Sequence, residues 1–165
     1  MNLLVYCDGS VTKGAWGTKS QKDEPPHCYA GWWVKRPDGI IIKHHSLDLG
    51  AGPNRSGNYA EYLSVRSALY WLNQNFPLAN LKVHSDSQLI CRQLSGEYNC
   101  FNPQLIIFRD ACRAIAGQFP KVEYIWIPRE LNKVSDALSK CLQSKFQGRT
   151  LTDLEVQTLA CNANP

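Results

Sequence analysis

Residues 2–10, Asn-Leu-Leu-Val-Tyr-Cys-Asp-Gly-Ser, decide how this chain is read. From Leu3 to Cys7 the run is almost continuously apolar, the pattern of a strand covered on both faces, and it ends in Asp8-Gly9-Ser10. A buried strand therefore delivers a carboxylate to its C-terminal end. Leu81–Asp86 repeats the pattern and again finishes on an Asp. In an open α/β sheet, ligands bind beyond the carboxyl ends of the strands, so Asp8 and Asp86 are expected at one rim.

Outward from these two strands, the rest of the chain falls into order. Residues 11–28 carry Gly, Ser, Pro25-Pro26 and the lysines Lys13, Lys19 and Lys22 without periodicity, and are expected to form a long, mobile loop beside Asp8. Tyr29–Lys35 and Gly39–Leu47 read as two strands joined at Pro37-Asp38-Gly39. Past a loop at Gly50–Gly57, the residues Ala60, Glu61, Val65, Ala68, Leu69 and Leu72 recur at helical spacing to about Asn75. Ser87–Leu94 is a short helix stopped by Ser95-Gly96, and Asn102-Pro103 caps a helix that runs to about Ala116. Val122–Ile127 is a further strand, and Asn132 is expected to cap a last helix through about Leu142. The order β-β-β-α-β-α-α-β-α specifies an α/β fold with a mixed sheet and helices on its faces. The domain is expected over residues 1–145. Residues 146–165 read as a flexible C-terminal tail with a short amphipathic piece at Leu151–Leu159.

A chain of 165 residues with 44% hydrophobic and 19% charged residues has enough apolar surface for a single core. Eighteen Lys and Arg against fourteen Asp and Glu give a net charge of +4, compatible with a polyanionic partner without requiring one. The seven cysteines are odd in number, contain no C-x-x-C pair and fall mostly in apolar runs, which points to buried thiols in a reducing, cytoplasmic setting. No secretory signal is visible behind Met1, and no apolar run is long enough to cross a membrane.

Glu61 opens the inward stripe of its helix, and an unpaired carboxylate there costs several kcal/mol, by order of magnitude, unless a cation or donors satisfy it. Three convergent carboxylates repel one another, so without a cation at least one is pushed toward its protonated form; an all-oxygen set of this kind suits Mg²⁺ or Mn²⁺ better than zinc. Taken singly, each acid has a second reading: Asp8 as a turn residue, Asp86 as a helix N-cap, Glu61 as a first-turn partner of the helix dipole.

Four motifs carry a family resemblance. Tyr6-Cys7-Asp8-Gly9-Ser10, Asn58-Tyr59-Ala60-Glu61-Tyr62, Ser85-Asp86-Ser87-Gln88-Leu89 and Ser135-Asp136-Ala137-Leu138-Ser139 resemble those of ribonuclease H type 1, in the same order and spacing. Gln93–Tyr98 followed by Asn102-Pro103, and Ile127–Asn132, resemble the same family, so the likeness spans roughly residues 2–142. It implies the ribonuclease H-like fold, a five-stranded sheet in the order 3-2-1-4-5 with helices on both faces. It also implies hydrolysis of the RNA strand of RNA–DNA hybrids by two metal ions, leaving 5′-phosphate and 3′-hydroxyl ends. On this resemblance Asp8 bridges both ions, Asp136 serves the nucleophile side, and Glu61 and Asp86 serve the other. Gly9, Ser10, Asn58 and Gln88 line the substrate path. Asp136 rests on the resemblance alone, because Val134, Ala137, Leu138 and Cys141 form the apolar stripe of its helix and Asp136 points away from it.

The chain departs from many members in three places. Gly57-Asn58 stands where two Asn are usual; the basic, Trp-containing insertion is replaced by the short link Ser95–Phe101; and loop 128–132 has no His. It resembles a His-less subgroup, with Arg129 or Glu130 in that loop and Arg129 expected to act on the phosphate electrostatically. His27, His44, His45 and His84 lie elsewhere and read as surface or core residues. The remaining readings are a nuclease or resolvase of the same fold acting on DNA, and a non-catalytic hybrid-binding module. A monomer is expected.

Overall fold

A computed structural model describes residues 1–12 and 25–163. Its sheet runs in the order β3-β2-β1-β4-β5, with strands β1 (Asn2–Thr12), β2 (His27–Lys35), β3 (Ile41–Ala51), β4 (Asn80–Ser85) and β5 (Lys121–Trp126). The helices are α1 (Gly57–Asn75), α2 (Gln88–Ser95), α3 (Pro103–Ala116), α4 (Lys133–Lys140) and α5 (Asp153–Ala163), with a 3-10 turn at Arg129–Leu131. β1 pairs antiparallel with β2 and parallel with β4, and β4 pairs parallel with β5. The mixed sheet with helices on its faces is the one the order of elements specifies, and its strand order is the one the ribonuclease H resemblance implies.

Alternation along β1 divides the core. Leu3, Val5 and Cys7 pack with Tyr62, Val65, Leu69 and Leu72 of α1 and with Leu105 and Cys112 of α3. On the opposite face Trp33 and Tyr6 meet Val134, Leu138 and Cys141. α4 approaches β2 so closely that a Cβ on Gly31 would stand 2.4 Å from the Ser139 nitrogen, so only Gly fits there. Gly39, at φ +94°, makes the β2–β3 turn that Pro37-Asp38-Gly39 announces. The seven cysteines are free thiols, six of them buried.

The structure departs from the sequence reading in several details, among them β3, which runs to Ala51 rather than Leu47. β1 does not end at Asp8. It continues to Thr12 against β2, whereas its pairing with β4 stops at Cys7 and Ser85. Asp8 therefore lies where one partner strand has ended and the other has not. Asn132 makes no side-chain cap; it is buried, donating from Nδ2 to the Cys7 carbonyl at 2.9 Å and accepting from Ser135 Oγ at 2.9 Å. Within the expected tail, residues 153–163 form α5, and Leu151 just before it and Val156 within it are buried against the Trp33, Val134 and Leu138 cluster. Most of the expected 11–28 loop, with Lys13, Lys19 and Lys22, lies outside the described residues.

Candidate active site

Asp8 is 5% exposed, and its environment is built by β1, β2 and α1 together. Its backbone N–H donates to Ser64 Oγ at 3.2 Å, and that hydroxyl donates to the Gly31 carbonyl at 2.8 Å, which locks α1 over the strands. The Gly9 N–H donates to Asp8 Oδ1 at 2.9 Å. A Cβ on Gly9 would stand 2.5 Å from the Ala60 carbonyl carbon, so the first turns of α1 reach the strand only because residue 9 has no side chain. That contact brings Glu61 to Asp8.

Ligand atoms of Asp8, Glu61 and Asp86 all lie within 4.8 Å of one another. Burial above all, with a hydrogen bond to Glu61 opposing it and the charges of Asp86 and Asp136 adding to it, leaves the Asp8 carboxyl raised to about 7. Glu61 is also driven well above the usual carboxylate range, by burial first and then by Asp8. Its Oε2 is buried and has no hydrogen-bond partner. A buried acceptor left unpaired beside two further carboxylates is the environment a divalent cation satisfies, and an all-oxygen donor set favours a hard ion. The residues present thus fit the metal that the cluster implies.

Other residues fill the capping roles open to these acids. Ser87, not Asp86, caps α2 by accepting from the Ile90 N–H, and Ser56 caps α1. Glu61 lies inward beyond the first turn of α1, and Asp8 lies in a strand. Asp86 is held from behind, since Trp126 Nε1 donates to its carbonyl at 3.2 Å and the Ile127 N–H donates to Ser85 O at 3.0 Å. Arg129 Nε approaches Asp86 Oδ2 at 3.6 Å, from a side chain 87% exposed against 8% for the Asp.

Asp136 stands apart from the group of three. It projects from α4 with its oxygens 2.8 and 3.1 Å from Lys140 Nζ, although its charge still bears on Asp8. Of the expected substrate residues, Gly9 lines the approach of α1, while the Ser10 hydroxyl turns inward, donating to Ser139 O at 2.6 Å and accepting from Gln143 Nε2 at 2.9 Å. Asn58 is half-buried in the first turn of α1 and Gln88 is exposed at the start of α2. Glu130 is exposed beside Arg129. None of the four histidines joins the carboxylates: His27 pairs with Asp48, His44 with Asp153, His45 leans on Trp32 and His84 stacks on Tyr6. Sequence reasoning missed Lys140, Ser64, Asn132 as a strand–helix tie, and Gln143. Only Lys140 had a visible signal, an acid and a base four residues apart on one helix.

Residues 18–141 match the reverse transcriptase-like family. The chain is 28% identical to ribonuclease HI of Halobacterium salinarum over 139 residues, 84% of this chain and 68% of that protein. The crystal structure of the ribonuclease H1 of that archaeon superposes with a TM-score of 0.74 at 25% identity, covering 88% of this chain and 99% of the other. A bifunctional protein of Mycobacterium tuberculosis is 30% identical over 167 residues; the match takes in 100% of this chain but 39% of that protein. A ribonuclease H1 isolated from compost, solved in complex with RNA/DNA hybrid, superposes with a TM-score of 0.68 at 26% identity over 82% of this chain and 92% of its own. Among the described residues, no helix is long and apolar enough to cross a membrane.

Proposed function

Because the chain belongs to the reverse transcriptase-like family, we propose that it is a ribonuclease H that hydrolyses the RNA strand of RNA–DNA hybrids, leaving 5′-phosphate and 3′-hydroxyl ends. The observation that carries this reading is the convergence of Asp8, Glu61 and Asp86, with a buried Glu61 oxygen left without a partner. The similarity to ribonucleases H, one of them solved on hybrid, supports the substrate class.

Asp8, Glu61, Asp86 and Asp136 would hold two Mg²⁺ or Mn²⁺ ions, which when bound supply an activated water and stabilise charge on the leaving oxygen. The chain's own residues do the remaining work. The Ser64 and Gly9 contacts hold the Asp8 backbone and carboxylate in place, and the absence of a side chain at Gly9 lets α1 bring Glu61 beside it. The exposed Arg129, permanently charged, attracts the scissile phosphate or the departing 5′-phosphate without moving a proton. Gly9, Ser10, Asn58 and Gln88 follow the RNA and DNA strands; with the Ser10 hydroxyl engaged internally, the part left to Ser10 is its backbone. We place the enzyme in the cytoplasm, a reading supported by its free, mostly buried thiols, and take it to act as a monomer.

The test is cleavage of end-labelled hybrid by the parent and by Asp8→Asn, Glu61→Gln, Asp86→Asn and Asp136→Asn. The proposal expects nearly complete loss in each, abolition by chelation, and recovery with Mg²⁺ or Mn²⁺. Full activity in any variant removes that residue from the site, and recovery with Zn²⁺ alone contradicts the oxygen-ligand argument.

A further inference from the structure

Of the four acids Asp8, Glu61, Asp86 and Asp136, Asp136 is the one held at both oxygens by a cationic side chain. Lys140 Nζ lies 2.8 Å from one of its oxygens and 3.1 Å from the other, whereas the Arg129–Asp86 approach is a single contact at 3.6 Å from an almost free side chain. Both members of the Lys140–Asp136 pair are little more than a third exposed. The last turn of α4, which carries Lys140, cannot draw back. The Ser139 carbonyl accepts from Ser10 Oγ two residues beyond Asp8, Gln143 donates to the same hydroxyl, and the missing Cβ of Gly31 lets the helix rest directly on β2. The Lys140 side chain is the free part of an otherwise fixed corner.

We propose that Lys140 is a positioning residue that holds the Asp136 carboxylate in the metal-free protein and competes with a divalent ion for it. Occupancy of the Asp136 side of the site then depends on release of the ammonium group. The physics is direct: a carboxylate oxygen already bonded to an ammonium has that bond to lose on meeting a cation, and a positive charge left nearby repels a dication. The proposal rests on the reading of Asp136 as a metal ligand, and its test separates the two.

The full chain, freed of metal, is titrated without substrate, with Mn²⁺ followed by the paramagnetic resonance of the free ion and with Mg²⁺ followed by calorimetry. The proteins are the parent, Lys140→Met, Lys140→Arg, Asp136→Asn and the double variant Asp136→Asn/Lys140→Met, each checked for its fold by circular dichroism. Lys140→Met removes the charge and keeps the length of the side chain, and should tighten the Asp136-dependent class of binding by roughly threefold to tenfold. Lys140→Arg should stay within about twofold of the parent, and the double variant should gain nothing over Asp136→Asn. If Lys140→Met binds both ions as the parent does while Asp136→Asn binds them less well, the pair is an ordinary helix contact and only the Lys140 proposal falls. If Asp136→Asn binds as the parent does, Asp136 is not a ligand and both readings fall.

Discussion

A side chain on Gly9 would place its Cβ 2.6 Å from the backbone nitrogen of Glu61. The glycine after the first carboxylate is therefore the seat on which the second is brought in, and the geometry of the cluster depends on an atom that is missing. Gly9→Ala should push α1 away from β1, lower stability by about 1–3 kcal/mol as overpacking does, and reduce hybrid cleavage by at least about tenfold. Thermal melts together with kcat/KM measure both effects. An Ala variant as active as the parent would show that α1 is not seated on residue 9.

Asp8 makes a prediction about pH. Its carboxyl is raised from 3.8 to about 7 in the folded, metal-free protein, so between these values the folded state binds more protons than the unfolded state. Stability should then fall as pH rises through that window, by up to a few kcal/mol at order-of-magnitude level. Metal-free protein should melt at a higher temperature near pH 5 than near pH 8, and Asp8→Asn should flatten the difference and stabilise the protein at pH 8. Urea denaturation at the two pH values checks the sign, and a parent more stable at pH 8 contradicts it.

Arg129 should contribute through charge alone. Arg129→Ala is expected to lower kcat by about one to three powers of ten while leaving the shape of the pH–rate curve unchanged, and Arg129→Lys should recover part of the loss. Glu130→Gln tests its exposed neighbour. Parental kcat in Arg129→Ala with a slow Glu130→Gln would transfer the role to Glu130.

The last helix should behave as core. Val156 is fully buried beside Trp33 and Leu138, so Val156→Ala should lower unfolding free energy by about 1–2 kcal/mol, whereas an alanine at the exposed Leu154 should change it by less than about 0.5 kcal/mol. Equal effects at the two positions would detach α5 from the fold.

How far the sequence could be read depended on the range of the interaction involved. The unbroken apolar run Leu3–Cys7, the stripe from Ala60 to Leu72 and the Asn102-Pro103 cap are local patterns, and each led to the right element. Asp8 and Asp86 were legible because each follows an apolar run, and Glu61 because it sits on an inward stripe. The end of β1 was not legible, because Thr12 is held by pairing with His27, a contact that the intervening residues hide. Asn132 looked like a cap because capping is a local habit of Asn, yet its partner is Cys7, 125 residues away. The amphipathic piece at Leu151–Leu159 was legible as such, but not its packing, because its buried residues are few and their partners lie on β2 and α4. Asp136 had no periodicity to recommend it, and its tie to Lys140 shows why: it lies on the polar side of α4, where charge, not burial, sets its position.

The measurement that bears most directly on the central claim compares three substrates of one sequence, an RNA–DNA hybrid, duplex DNA and duplex RNA, at equal enzyme concentration in Mg²⁺ with each strand labelled in turn. The account predicts internal cleavage of the RNA strand of the hybrid alone, with 5′-phosphate and 3′-hydroxyl ends, an intact DNA strand and uncut homoduplexes. Cleavage of duplex DNA at the rate of the hybrid would instead make this a DNA nuclease on the same fold. Tight binding of hybrid with no cleavage would make it a binding module, and either result would contradict the account.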